Sequence, residues 1–273
     1  MRATPEIGKS IRAGGVLTNY HEAGKGTPVI LIHGSGPGVS AWANWSRAIP
    51  SLSEHFHVFA YDQLGFGYTE LPRENYYGLE QWTEHLLDFM RAVGISRAHL
   101  IGNSMGAAVA LAAAVKHPEV VDRLVLMGAM GVRFLLTEGI DSVWGYTPSI
   151  PNMRRLLDIF AYNRELITDE LAELRYKASI RPGMQEAFSS MFPAPRQQGV
   201  DALAVYEDRL GEIRAPALVI HGRDDRVIPL TTSEKLLHTL DTVQLHVFGR
   251  CGHWTQIEHA AAFNRLTRDF LLE

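Results

Sequence analysis

The residues Gly102-Asn103-Ser104-Met105-Gly106 form a G-x-S-x-G pattern between an apolar run and an alanine-rich one. A serine held at a strained strand-to-helix turn exposes its hydroxyl, and small flanking residues let strand and helix approach closely. A hydroxyl becomes a nucleophile only when a histidine takes its proton, and that histidine needs a carboxylate to fix its tautomer and stabilise the imidazolium. Both partners are available in the order Ser, Asp, His. Asp225 closes "PALVIHGRDD" and His253 follows "VQLHVFGR", so each falls where a strand should end. Asp224 is the immediate rival of Asp225, and the placement within "GRDDRVIP" favours Asp225. His33, in "LIHGSGPG", is read as orienting its own loop, and His221 as structural.

Attack on a carbonyl puts negative charge on oxygen, so backbone N–H donors must be preplaced for it. Met105, first in the helix after the serine, is expected to give one. The loop "HGSGPG" is expected to give another, from Ser35 first and Gly36 second. This loop lacks the Lys-Ser/Thr of a P-loop and the G-x-G-x-x-G spacing, so a phosphate cradle is rejected; "LGFG" at 64 to 67 fails for similar reasons.

A further candidate is an arginine. In "TDELAELRYKASI" the apolar stripe reads as Leu171, Leu174 and Ala178, and Arg175 falls within it at i+4 from Leu171. An arginine on an inward face needs an anion. Two readings stand: a salt bridge to the core or an exposed helix edge, and a clamp for a substrate carboxylate, which arginine grips bidentately.

The elements that must position these groups are legible. Short runs rich in β-branched residues, "PVILIHG", "FHVFAYD", "AHLIGNS", "DRLVLMG", "PALVIHGRDD" and "VQLHVFGR", alternate with helical patterns. Continuous apolar strands between helices predict an α/β protein with a parallel sheet covered on both faces. Residues 10 to 24 read as a leading antiparallel hairpin. The alternation stops near Gly131 and resumes near Ala215, which predicts an all-helical insertion over the carboxyl edge of the sheet, where ligands of open α/β sheets bind. The expected division is a core of 1–130 and 210–273 with a cap of 131–209. "MFPAPRQQG", 191 to 199, reads as a loop returning to the core.

The 273 residues, 46% of them hydrophobic, suffice for one large elaborated domain. A formal charge of −4 is too balanced to suggest a nucleic-acid or anionic-membrane partner. The first residues lack the apolar stretch of a signal peptide, and no apolar run approaches the roughly 20 residues of a membrane span. One cysteine, Cys251, excludes a disulfide framework within the chain and fits a reducing compartment, so a cytoplasmic protein is expected. No metal or cofactor is suggested by the histidine spacing.

Taken together, "GKSIRAGGVLTNYHEAG", "LIHGSGPGVSAWANW", "GNSMG", "VWGYTPSIPNMRRLLDIF", "ELAELRYKASIRPG", "MFPAPRQ", "HGRDDRVIPL" and "LHVFGRCGHWTQIEH" resemble the meta-cleavage product hydrolases, carbon–carbon bond hydrolases of bacterial aromatic degradation. The resemblance spans almost the whole chain, cap included, and is greatest to the single-ring branch, enzymes similar to 2-hydroxymuconic semialdehyde hydrolase and those of alkylbenzene and cumene pathways. It implies an α/β-hydrolase fold with a helical cap, a homo-oligomer, and a small-molecule substrate, a 2-hydroxy-6-oxohexa-2,4-dienoate. That substrate would tautomerise to a keto form and be cleaved to 2-hydroxypenta-2,4-dienoate and a carboxylic acid. It implies Ser104, Asp225 and His253 as triad, Arg175 and Trp254 at the carboxylate and 2-oxo end, and Asn44 and Asn103 lining the same polar subsite. Without the resemblance, Trp254 reads as ordinary packing and Asn44 as a helix cap.

Two departures from the family pattern are Ala107, where a second glycine often follows Ser-x-Gly, and Tyr61 with Gln63, where proline and methionine are usual. Both are expected to bear on packing or loop shape more than on chemistry. Ile140, Trp144, Ile159, Phe160, Met191, Phe192 and Val227 are candidates for the wall around the substituent on the ketone carbon, or for cap core. The competing readings are a carboxylesterase or thioesterase with the same triad, which needs no inward arginine, and a small-molecule receptor, which needs no triad. Ser104 argues against epoxide hydrolases and haloalkane dehalogenases, which place a carboxylate at that position.

Overall fold

A computed structural model describes residues 4–72 and 76–273. Eight strands form one sheet: β1 (Lys9–Ala13), β2 (Val16–Ala23), β3 (Pro28–Ile32), β4 (His57–Tyr61), β5 (Ala98–Asn103), β6 (Val121–Met127), β7 (Ala217–Gly222) and β8 (Val243–Phe248). Their order is β1-β2-β4-β3-β5-β6-β7-β8. β1 and β2 form the leading hairpin and β2 pairs antiparallel with β4; the remaining pairs are parallel.

Side chains alternate across a strand, so a strand buried on both faces must be apolar throughout. In β3, Ile30 and Ile32 enter one core with Leu100, Leu124, Leu126 and Val219. Val29 and Leu31 enter the other with Ile101, Val125, Leu218 and Ile220. Helices Leu79–Ala92 and Met105–Lys116 cover the first face through Trp82, Leu86, Phe89 and the alanine run. Helices Ala41–Trp45, Ile49–Leu52 and Ala260–Leu272 cover the second through Trp45, Leu52, Phe263 and Phe270. In the helix after Ser104, Met105 through Val115 are all buried, which explains its lack of a polar face. Alanine there combines high helix propensity with a slim profile that lets the helix lie close to the sheet.

Between β6 and β7 the described residues are helical: Glu138–Trp144, Ile150–Phe160, Asp169–Ser179, Met184–Met191 and Gln197–Leu203. Thr137, Ser149 and Thr168 cap the first three, their hydroxyls accepting from the N–H groups of Ile140, Asn152 and Leu171. Each cap satisfies a donor that the helix leaves unpaired. The loop expected over 191 to 199 is shorter, since Gln197 already opens a helix. Gln197 explains the early start: its side chain accepts from Leu136 N–H and donates to the Phe134 carbonyl, tying that turn to the chain just after β6. No helix among the described residues is long and apolar enough to cross a membrane.

Candidate active site

Ser104 sits between β5 and the helix Met105–Lys116 with φ 54° and ψ −117°, a left-handed backbone uncommon for a residue with a side chain. Ser104 N–H donates to the Met127 carbonyl at 2.9 Å, and its own carbonyl accepts from Ala107 and Met130. The flanking glycines are steric necessities. A Cβ on Gly102 would come within 2.6 Å of Ala107 Cα, and one on Gly106 within 2.2 Å of the Ile32 carbonyl oxygen. Ala107 is wholly buried against this junction.

Asp225 lies in the loop after β7, and His253 in the loop after β8. His253 Nδ1 lies 2.7 Å from Asp225 Oδ2, while Asp225 Oδ1 accepts from the N–H groups of Val227 and Ile228 at 2.7 and 3.0 Å. Burial pushes the Asp225 carboxyl up, but the facing His253, His221 and the Ile228 N–H outweigh it and hold the group below the usual carboxylate range. A carboxylate is therefore what the imidazole meets. Asp224 instead accepts from Cys251 N–H and pairs with Arg223. His221 is buried between Ser233 Oγ and the Ile228 carbonyl.

The loop after β3 faces the elbow, a Cβ on Gly34 reaching 3.0 Å from Ser104 Cβ. His33 orients this loop. Its Nδ1 donates to the Gly34 carbonyl at 2.8 Å and its Nε2 accepts from Gln63 N–H at 3.0 Å, while Gln63 Nε2 donates to the His33 carbonyl at 2.6 Å. Burial lowers His33 to about 4, so the imidazole is neutral in one tautomer. Gln63 thus has a definite role, a latch on the loop bearing Ser35 and Gly36. From the other side, Trp144 Nε1 donates to Ser35 Oγ at 3.0 Å, and the Trp144 ring stacks on Phe192 at 4.3 Å.

Above Ser104 lies a cavity of about 210 Å³ between sheet edge and inserted helices, with Ser35, Gly36, Asn44, Asn103, Ser104, Arg175, His253 and Trp254 on its wall. Met105 and Asp225 are not on that wall. Asn44 Nδ2 donates to Asn103 Oδ1 at 3.1 Å, and Asn44 Oδ1 is buried without a partner among the described residues. Of the wall candidates read from sequence, Phe160 lines this cavity. Leu171, read from sequence as part of an inward stripe, lines it too, and Met153, Leu157, Leu166 and Ile257, which the sequence did not single out, add to the apolar part.

The helix Asp169–Ser179 corrects the stripe read from sequence. Its inward line is Ala172, Arg175 and Ser179, while Leu174 is 48% exposed. Arg175 reaches past the cavity wall to the core: Nη1 donates to the Gly38 carbonyl at 2.8 Å and Nη2 pairs with Glu6 Oε1. Its Nε is buried without a hydrogen-bond partner among the described residues. The salt bridge to the core is therefore present, and the same side chain lines the cavity.

The His253 loop and the inserted helices share contacts. His253 N–H donates to the Phe160 carbonyl at 2.7 Å, and the Phe160 ring stacks on Trp254 at 5.0 Å. A Cβ on Gly252 would come within 2.5 Å of that same carbonyl. Glu258 closes the seam, accepting from Gly252 N–H through one oxygen and from Tyr162 and Asn163 N–H through the other, each at 2.8 Å.

The α/β hydrolase fold family model matches residues 27–260. The chain is 58% identical, over 97% of its length and 96% of the relative's, to a 2-hydroxy-6-oxo-2,4-heptadienoate hydrolase of Pseudomonas putida. It is 56% identical, over 99% and 95%, to a 2-hydroxymuconate semialdehyde hydrolase of a Pseudomonas species. Among solved structures it is similar to a meta-cleavage product hydrolase from Pseudomonas fluorescens, with a TM-score of 0.96 and 58% identity over 97% of this chain and 98% of that one.

Proposed function

The chain belongs to the meta-cleavage product hydrolases of the α/β-hydrolase fold, and from that premise we propose how its own residues carry out the reaction. The protein is an enzyme that hydrolyses a carbon–carbon bond of a 2-hydroxy-6-oxohexa-2,4-dienoate, the ring-fission product of a catechol. The observation that carries the residue assignment is the Asp225–His253 pair at 2.7 Å, with His253 on the wall of a cavity that also holds Arg175 and Ser104 on its strained elbow.

In this reading the helical insertion is the cap over the site, and the dienol first tautomerises to its keto form, with a proton added at C5. The C6 carbonyl then stands opposite Ser104. His253 takes the hydroxyl proton as Oγ adds to C6, and Asp225 stabilises the resulting imidazolium. The N–H groups of Met105 and of Ser35, with Gly36 as the other candidate, receive the oxyanion. As the C5–C6 bond breaks, its electron pair passes through the conjugated chain to the 2-oxygen. The proton held by His253 completes 2-hydroxypenta-2,4-dienoate. Water, deprotonated by His253, then releases the acyl group from Ser104 as the carboxylic acid.

Carbon is a poor leaving group unless its electrons delocalise, so stabilisation at the dienolate end matters as much as the nucleophile. Arg175 and Trp254 serve that end, and Asn44 and Asn103 line the same polar subsite, a reading supported by their place on the cavity wall. A small group on C6, hydrogen or methyl, is supported by the substrates named for the two relatives at 56% and 58% identity. A cytoplasmic homo-oligomer completes the proposal, supported by the single cysteine and by the family resemblance.

The test follows the loss of dienolate absorbance for 6-substituted substrates bearing hydrogen, methyl, isopropyl or phenyl, with the wild type and Ser104→Ala. Fast decay with hydrogen or methyl, lost in the variant, is expected. Decay of none, with p-nitrophenyl esters hydrolysed instead, would leave an esterase.

A further inference from the structure

Glu6 lies just before β1 and is 4% exposed, far from any position at which a sequence motif would place a functional group. A carboxylate in such a place is costly unless paired and hydrogen-bonded. Its partner is the Arg175 guanidinium. The backbone around Glu6 is itself fixed, its carbonyl accepting from Asn19 Nδ2 at 3.0 Å and from His21 Nε2 at 3.2 Å. Asn19 holds the same segment a second time, through Oδ1 to Gly8 N–H, and donates to Asp62 Oδ2. The Glu6 carboxylate is thus a fixed point, built by the leading hairpin.

Arg175 meets that point and one other. Gly38, whose carbonyl accepts from Nη1, has φ +70° and lies so close under the helix that a Cβ there would come within 2.5 Å of the Arg175 carbonyl oxygen. Two guanidinium nitrogens are therefore held by the core. The third, Nε, is buried, has no hydrogen-bond partner among the described residues, and belongs to a side chain on the cavity wall. A guanidinium carries five donors in a rigid fork, so fixing two corners fixes the third.

We propose that Glu6 is a positioning residue for substrate recognition, which with the Gly38 carbonyl sets the plane of the Arg175 guanidinium on the cavity wall for the substrate carboxylate. The proposal rests on the reading of Arg175 as the carboxylate clamp. Glu6 also offsets the arginine's charge, so that the clamp selects by hydrogen-bond geometry rather than by charge alone.

Kinetics on 2-hydroxy-6-oxohepta-2,4-dienoate, with p-nitrophenyl acetate as an ester lacking a carboxylate, test this in the wild type, Glu6→Ala, Glu6→Gln, Arg175→Ala and the Glu6→Ala/Arg175→Ala double variant. Glu6→Ala is expected to raise KM for the dienoate about tenfold and to leave ester turnover within about twofold. Glu6→Gln keeps an oxygen for Nη2 and should restore KM to within about threefold of the wild type. Adding Glu6→Ala to Arg175→Ala should change KM by less than about twofold, because the group being positioned is gone. If Glu6→Ala proves too unstable to assay, Glu6→Asp, which draws the acceptor back by one methylene, should show the same selective rise in KM.

A lower KM in Glu6→Ala would make Glu6 a competitor for the arginine and overturn the proposal. So would an equal loss on the ester, or the same KM increment with and without Arg175. Wild-type kinetics in Arg175→Ala would remove the clamp reading itself, an outcome distinct from failure of Glu6 alone.

Discussion

Asp225 divides its two oxygens between two tasks, Oδ2 facing His253 Nδ1 at 2.7 Å and Oδ1 held by the N–H groups of Val227 and Ile228. The carboxylate is thereby immobilised before it orients the imidazole. An asparagine in its place keeps the shape but offers an amide donor where Nδ1–H must donate, which favours the wrong tautomer. Asp225→Asn is expected to lower kcat on the dienoate by about 10³- to 10⁴-fold with little change in KM. A kcat within tenfold of the wild type in stopped-flow turnover would remove Asp225 from the triad.

The Gln63 latch allows a prediction in which stability and activity separate. Gln63→Met removes the donor to the His33 carbonyl but also removes Oε1, which is buried without a partner among the described residues. Each of these is worth about 1–3 kcal/mol with opposite sign, so the melting temperature should hardly move. The loop carrying Ser35 and Gly36 loses a restraint, and kcat should fall about three- to tenfold. A kcat unchanged alongside unchanged stability would show that the loop holds its shape without Gln63.

Glu258 binds three backbone N–H groups across the seam between the His253 loop and the inserted helices. Charged acceptors make the stronger hydrogen bonds. Glu258→Ala is expected to reduce unfolding free energy by about 1–3 kcal/mol in urea titrations. A lower kcat should accompany the loss, because Gly252 immediately precedes His253. A loss of stability with full activity would mean that the Phe160 carbonyl alone fixes the histidine.

Buried groups shape the acid limit, three of them strongly shifted. Burial lowers His33 and His85 from 6.5 to about 4. Each therefore contributes stability that is fully present above pH 6.5 and is lost as pH falls toward 4, about 3 kcal/mol apiece. Burial raises Asp62 from 3.8 to about 6, and its contribution has the opposite sign: present below pH 3.8 and lost as pH rises through 6. His221, His99 and His21 are likewise lowered by burial, so their contributions too are lost as pH falls, and the unfolding free energy declines between pH 6.5 and 4. In His85→Gln that decline, followed by urea unfolding, should be smaller than in the wild type by about 3 kcal/mol. A slope as steep as that of the wild type would place the acid sensitivity elsewhere.

The residues read from sequence as Ser104, His253, Asn44, Asn103, Arg175, Trp254, Ser35 and Gly36 come to one cavity. They were legible because an α/β chain delivers its loops to one sheet edge, so the order of strands fixes which loops meet. The strands themselves were legible because burial on both faces demands continuous apolar runs. What escaped were contacts between groups distant in sequence and lacking a motif: Glu6 with Arg175, 169 positions apart, and Trp144 with Ser35, 109 apart. The stripe around Arg175 was misread for a related reason. Leu174 looks inward by composition, but this helix turns Ala172, Arg175 and Ser179 inward because an anion and the Gly38 loop await them.

The Phe160 carbonyl that accepts from His253 N–H, with Gly252 packed beneath it, bears on how such enzymes can be recombined. An insertion that joins the sheet only through its two ends would behave as an exchangeable module, and lids from relatives could be grafted by cutting near residues 131 and 209. Here a third junction exists, remote from both cuts. A graft that brings a foreign turn after residue 160 would arrive against a native 250–258 segment shaped for another backbone, and His253 would drift. Chimeras that carry both stretches from one parent should retain turnover where simple lid exchanges lose it.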